Sequence, residues 1–215
     1  MNTPLTEQSL REALVTAGKK LLKENLVQGT WGNISVRLDG ENMLVTPSGL
    51  DYLRLTPADM VKVNINTLEY EGKLKPTSEK KLHASIYRDR TDIGAVIHTH
   101  SEYCSIMAAA RAELPSDIPD IRGVNSLIGL PVRCAGYGLP GTKKMTNETL
   151  KALKDRNGCY LSNHGAIAAG ESLDAALKAC ETLESSSKDY VTSAVLKRSG
   201  KDEFSDETTL SAYIK

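Results

Sequence analysis

The sequence predicts an α/β protein, strands and helices mixed in a single domain over residues 1–215, and three observations carry that prediction. Short alternating or continuous apolar runs, such as residues 60–65 and 95–97, lie between longer stretches whose apolar residues recur every three or four positions. No internal repeat, low-complexity tract, heptad series or Pro/Ser-rich linker divides the chain. The 215 residues, 40% hydrophobic and 25% charged, suffice for a substantial core.

Taken in order, Leu10, Leu14, Ala17, Leu21 and Leu22 form one stripe of an amphipathic helix over residues 8–26, which Gly29-Thr30-Trp31-Gly32-Asn33 ends. Residues 34–38 and 43–45 are strands turned at Asp39-Gly40, and the second stops at the tight turn Pro47-Ser48-Gly49. Both glycine-bearing loops fit ordinary turns. They also fit a phosphate cradle of backbone N–H groups, to which Asn33 and Ser48 add hydrogen bonds. Thr56-Pro57-Ala58-Asp59 has the form of a short helical start, and an alternating strand follows over residues 60–65. Pro76-Thr77-Ser78-Glu79 opens a helix through Leu82, His83, Ile86 and Tyr87. Its hydroxyls suit capping, and the same free N–H groups and positive dipole end suit an anion beside Glu79. His83, one turn beyond Glu79, falls near the apolar positions and reads as a hydrogen-bonded structural histidine rather than a metal ligand.

The run Ala95-Val96-Ile97 ends in His98-Thr99-His100. On a strand these histidines share a face with Cα atoms roughly 6.5 to 7 Å apart, a separation that suits convergence on one Zn²⁺ and equally suits two solvated side chains. An alanine-rich helix over residues 104–112 follows. Pro115, Pro119, Gly123 and Gly129 leave residues 114–129 without a firm element. Then come a strand at residues 132–135, a glycine-rich loop at 136–142 and a helix over about 147–156. Residues 159–162 are strand-like and deliver Asn163-His164-Gly165, with Ala166-Ile167-Ala168-Ala169 continuing the run. Leu173, Leu177, Cys180, Leu183 and Tyr190 mark a long helix over about 172–197, and a polar tail with Phe204 and Tyr213 follows.

Twenty-seven basic and 27 acidic residues give a formal net charge of +0, so nothing electrostatic favours nucleic acid or an anionic membrane, while a local patch suffices for an anionic metabolite. No apolar stretch nears the ~18 residues of a membrane span and no signal sequence opens the chain, so the expected compartment is the cytoplasm. Cys104, Cys134, Cys159 and Cys180 form no Cys-x-x-Cys pair and read as buried reduced thiols.

His98, His100, His164 and Glu79, each at a turn or strand end, form a set testable as one site: three neutral nitrogens and one carboxylate that ligates or accepts a proton. Three histidines leave a coordination position open for chemistry, and phosphate-type loops around them suggest a phosphorylated, oxygen-rich substrate. Gly29-Thr30-Trp31-Gly32-Asn33-Ile34-Ser35, Pro47-Ser48-Gly49, Pro76-Thr77-Ser78-Glu79, His98-Thr99-His100-Ser101 and Asn163-His164-Gly165 together resemble, in order and spacing, the zinc-dependent class II aldolase/adducin family over roughly residues 8–195. The resemblance implies one α/β/α domain around a mainly antiparallel sheet, commonly a homotetramer with active sites at subunit contacts. It implies Zn²⁺ on His98, His100 and His164, with Glu79 as resting fourth ligand and as general acid/base. It places substrate phosphate at Gly32, Asn33, Ser48, Gly49, Thr77 and Ser78, and a catalytic tyrosine at Tyr213 on a mobile tail over residues 200–215. The implied reaction is cleavage of a short ketose or deoxyketose phosphate, such as L-fuculose 1-phosphate, to dihydroxyacetone phosphate and an aldehyde. Pentulose 5-phosphate 4-epimerisation and dehydration of a methylthiopentulose phosphate use the same frame. A scaffold of the adducin type fits poorly, since all four ligand positions are retained. Ile121-Arg122-Gly123-Val124-Asn125 lacks the tyrosine that related aldolases tend to have there.

Overall fold

The computed structural model describes residues 6–120 and 122–199, so Tyr213 and the tail lie outside the described residues. Helix α1 (Glu7–Lys23) starts where the Thr6 hydroxyl accepts the Ser9 N–H. It buries Leu14, Ala17 and Leu21, each such leucine contributing about 2 kcal/mol of apolar burial. Strands β1 (Asn33–Arg37) and β2 (Asn42–Val45) form a hairpin whose turn is tied by the Asp39 carboxylate, which accepts the N–H groups of Glu41 and Asn42. After a 3₁₀ turn at Pro57–Asp59 the chain forms β3 (Val61–Asn64), α2 (Lys80–Asp89), β4 (Ala95–Thr99) and α3 (Glu102–Ala110). A short α4 (Val124–Leu127), β5 (Cys134–Ala135), α5 (Lys143–Leu153), β6 (Gly158–Leu161), β7 (Gly165–Gly170) and α6 (Leu173–Ser199) complete it.

The strands make one seven-stranded sheet in the order β3-β2-β1-β4-β7-β6-β5, antiparallel except for the β5–β6 pair. Alternation along the strands divides the core in two. Ile34, Val36, Ala95, Ile97, Ala166 and Ala168 join residues of α1, α3, α4 and α6. Met43, Val45, Val96, Ile167 and Ala169 join residues of α2 and α5. The α/β/α layers are therefore written in the two-residue period of each strand. No helix among the described residues is long and apolar enough to cross a membrane.

Three elements differ from the sequence reading. The run through residues 159–169 is a hairpin of two strands, because Asn163 adopts a left-handed conformation (φ 56°) and turns the chain between them. Helix α5 starts at Lys143, since Thr142 caps it by accepting the Met145 N–H. The strand expected at residues 132–135 shrinks to β5, with Val132 paired only to Leu114 in an isolated bridge.

Candidate active site

β4 lies in the middle of the sheet, with His98 paired to Asn33 on one side and Ile167 on the other. Alternation sets His98 on the Val96 face, towards α2. His100, one residue past the strand, returns its ring to the same point, and the two Nε2 atoms stand 2.8 Å apart. His164 arrives from the β6–β7 turn, where its N–H donates to the Leu161 carbonyl. Gly165 permits that approach: a Cβ there would fall on the Thr99 carbonyl oxygen and 2.9 Å from His100 Cδ2. One ring nitrogen from each histidine lies within 4.8 Å of the other two.

The His98 Nδ1–H donates to the Ala166 carbonyl at 2.9 Å, which fixes the tautomer and leaves Nε2 with a lone pair aimed into the cluster. Burial pushes the His98 pKa down to about 4, and burial also lowers that of His100. Neutral imidazoles are the form that binds metal. Glu79, the residue before α2, brings Oε2 within 3.2 Å of His98 Nε2 and Oε1 within 3.6 Å of His164 Nε2. Burial raises its carboxyl pKa, but His98 and a hydrogen bond from Asn33 Nδ2 at 3.0 Å outweigh that and hold it below the usual carboxylate value. Glu79 Oε1 is buried with no hydrogen-bond partner. An orphaned carboxylate oxygen facing three converging nitrogens is a donor set that fits a divalent cation.

The cluster opens into a cavity of about 360 Å³, and every residue assigned to phosphate from sequence, Gly32, Asn33, Ser48, Gly49, Thr77 and Ser78, lines it beside Glu79 and the three histidines. The backbone cradle is narrower than expected, because the Ser48 N–H is spent on the Lys75 carbonyl and the Thr77 N–H on that of Thr46. The Ser48 and Ser78 side chains stay exposed at the rim, while the buried Thr77 Oγ1 accepts the Glu79 N–H at 3.3 Å. Gly32 (φ 84°) has no room for a side chain, since a Cβ would lie 2.7 Å from the His98 carbonyl oxygen.

Sequence reasoning assigned no role to Trp31, Pro140, Gly141 or Glu184. Trp31 is 61% exposed, with its ring 5.8 Å from that of His100. Pro140 and Gly141 also line the cavity, and the glycine-rich loop at residues 136–142 was their only signal. Ser101 makes no capping bond to α3. Instead the Glu184 carboxylate, on α6, accepts the N–H groups of Tyr103 and Cys104 at 2.9 Å each, tying down the chain as it leaves His100.

Comparison with known proteins agrees with this geometry. A family model described as "Class II Aldolase and Adducin N-terminal domain" matches residues 12–191. The chain is 36% identical over 178 residues to "5-deoxy-D-ribulose 1-phosphate aldolase" of Bacillus thuringiensis serovar kurstaki, covering 82% of each chain. It is 35% identical over 188 residues to "5-methylthioribulose-1-phosphate/5-deoxyribulose-1-phosphate aldolase" of Rhodospirillum rubrum, covering 87% of this chain and 82% of that one. A solved "L-fuculose 1-phosphate aldolase" superposes with a TM-score of 0.81 at 31% identity, over 99% of this chain and 95% of that chain.

Proposed function

The chain belongs to the class II aldolase and adducin family, and from that premise we propose that it is a metal-dependent lyase cleaving a short 5-substituted ketose 1-phosphate to dihydroxyacetone phosphate and an aldehyde. The observation that carries the reading is the meeting of three histidines, a buried Glu79 and hydroxyl-bearing loops in one cavity. The relatives acting on 5-deoxyribulose and 5-methylthioribulose 1-phosphates support the substrate class.

His98, His100 and His164 would hold the metal, zinc in our proposal, with Glu79 as a fourth ligand at rest. Once bound, the ion would supply Lewis acidity towards the negative charge that develops on the substrate's C2 oxygen. Glu79 takes the proton of the C4 hydroxyl as the C3–C4 bond breaks, and the bonding pair moves towards the C2 carbonyl oxygen. The same carboxyl then returns the proton to C3, so the chemistry is proton-neutral and needs one acid/base group. The Ser48, Thr77 and Ser78 hydroxyls and the N-terminus of α2 bind the phosphate, and that remote binding energy orients the scissile bond. Gly32, Asn33 and Gly49 complete the phosphate wall. Tyr213 belongs to the proposal as a hydrogen-bond partner of the C4 oxygen at the aldehyde end, with Glu79 carrying the proton.

A fourfold assembly is proposed on the exposed Trp31 and Leu139, whose apolar surfaces beside the cavity suit a subunit contact. The four cysteines are free, and three are buried, which suits the reducing cytoplasm. The test is to incubate the zinc-loaded protein with 5-deoxyribulose, 5-methylthioribulose and L-fuculose 1-phosphates and identify products by NMR. Dihydroxyacetone phosphate with acetaldehyde from the first is expected. An epimer, a dehydrated ketone or no conversion across the panel overturns the reading.

A further inference from the structure

Behind Glu79 a line of buried polar side chains runs into the core between the sheet and α2. Asn33 Nδ2 donates to Glu79 Oε2 at 3.0 Å, and Asn33 Oδ1 lies 2.6 Å from His83 Nε2. His83 Nδ1 lies 2.6 Å from Ser35 Oγ, which lies 2.8 Å from the Tyr87 hydroxyl. Asn33, Ser35, His83 and Tyr87 are all buried, and His83 and Ser35 are wholly inaccessible.

The direction of every bond follows from one end. An ionised carboxylate only accepts, so Asn33 must turn its NH₂ towards Glu79 and its carbonyl towards His83. That carbonyl only accepts, so His83 must carry its proton on Nε2. His83 is wholly inaccessible and both ring partners, Asn33 and Ser35, are uncharged, so burial favours the neutral ring and its Nδ1 is an acceptor. Ser35 therefore donates to Nδ1, and Tyr87, the remaining partner, donates to Ser35. An amide has no intrinsic preference between its two ends, and rotating Asn33 by half a turn about its last side-chain bond would set Oδ1 against the Glu79 carboxylate. The Glu79 carboxylate opposes that rotation from one end and the donor at His83 Nε2 from the other, so without the donor the amide is held at one end only.

We propose that His83 is a positioning residue for the reaction: through a one-way chain of hydrogen bonds, Tyr87 to Ser35 to His83 to Asn33, it locks the Asn33 amide so that the Glu79 carboxylate is held and aimed at the substrate. This gives the histidine on α2 a task apart from binding metal, and it explains why Asn33 faces both the cavity and the core. The inference rests on the reading of Glu79 as the acid/base group.

The test joins a spectroscopic and a kinetic measurement on the full-length protein. Nitrogen-15 NMR of the His83 ring, with and without metal, is expected to show the neutral Nε2–H tautomer; an Nδ1–H tautomer or an imidazolium at neutral pH overturns the proposal whatever the enzyme's substrate is. His83→Phe, which keeps a ring and removes the donor, is expected to lower kcat at least ~10-fold, since small misplacements of a catalytic group cost up to ~10²-fold. Its KM and bound metal should change less than kcat does, because the Ser48, Thr77 and Ser78 hydroxyls and the three-histidine cluster are untouched. His83→Gln restores a donor near the Nε2 position and is expected to recover kcat to within about threefold of the parent. Equal impairment of the Gln and Phe variants, or full kcat in the Phe variant, overturns the proposal. Should His83→Phe not fold, Ser35→Ala takes its place: a shifted Nδ1 resonance from the lost donor together with a smaller fall in kcat supports the chain, and an unchanged Nδ1 resonance or an unchanged kcat rejects it. Failure of the parent to cleave any ketose phosphate instead removes the Glu79 premise while leaving the tautomer measurement standing.

Discussion

On one wall of the cavity His98 stands on a central strand with its Nδ1–H bonded to the Ala166 carbonyl; on the other, Ser48 and Ser78 stand in exposed turns whose neighbouring amides are partly spent on the backbone. The histidine wall is rigid because its geometry is inherited from strand register and from Gly165, which lets the β6–β7 turn touch β4. Metal binding needs that precision, since ligand distances tolerate only about 0.2 Å. The loop wall offers hydroxyls and a helix terminus, whose attraction for a phosphate falls off gradually with distance. On the proposed reading, the difference teaches that the metal-binding rings are positioned by strand register and a close turn contact, while the substrate is held by exposed turn hydroxyls.

The largest expected effect lies where the two walls meet, at Glu79. Glu79→Gln should lower kcat by about 10²–10⁴, the range for a general acid/base, while affinity for dihydroxyacetone phosphate, read by calorimetry, stays near that of the parent. A kcat within a few-fold of the parent would break the contrast. Next comes pH. Unfolded His83 titrates near 6.5 and the folded residue near 4, so the unfolded chain binds the extra proton in that window. Its contribution is complete above pH 6.5 and is lost as pH falls towards 4, about 3 kcal/mol in all. Urea melts over this range should show an acid slope to which His98 and His100 also contribute, and His83→Gln should reduce it by the His83 share. Gly165→Ala should cost about 2 kcal/mol by overpacking and lower metal occupancy, measured by thermal melts and metal analysis. An unchanged occupancy would mean the turn is softer than its contacts imply. The smallest effect belongs to the turns: Ser48→Ala or Ser78→Ala should raise KM about fivefold, near 1 kcal/mol for one lost hydrogen bond, with kcat unchanged. A fall in kcat instead would place these hydroxyls with the chemistry.

The sheet side was also the more legible one. The alternation of Ala95, Val96, Ile97 and His98 put His98 and His100 together without any knowledge of the partners, because the strand period is local. His164 was legible as a residue but not in its delivery: an apolar stretch on both sides of Asn163 reads as one run, and only the left-handed backbone at Asn163 folds it into a hairpin. The bonds from His83 to Asn33 and from Glu184 to the start of α3 join residues 50 and about 80 positions apart, and no local pattern encodes such pairings. Residues 114–129 were illegible for a different reason. Their frame rests on the Leu114–Val132 bridge, on α4 and on the Asn125 side-chain Oδ1 accepting the Leu130 N–H, none of which leaves a period in the sequence.

The central claim is that the histidine wall becomes catalytic through a bound metal. The most direct measurement is product formation from 5-deoxyribulose 1-phosphate by one preparation in three states: as metal-loaded protein, after chelation, and after zinc is returned. The account predicts dihydroxyacetone phosphate and acetaldehyde in the first and third states and none in the second. Undiminished cleavage by the chelated protein, or no cleavage in any state, would contradict it.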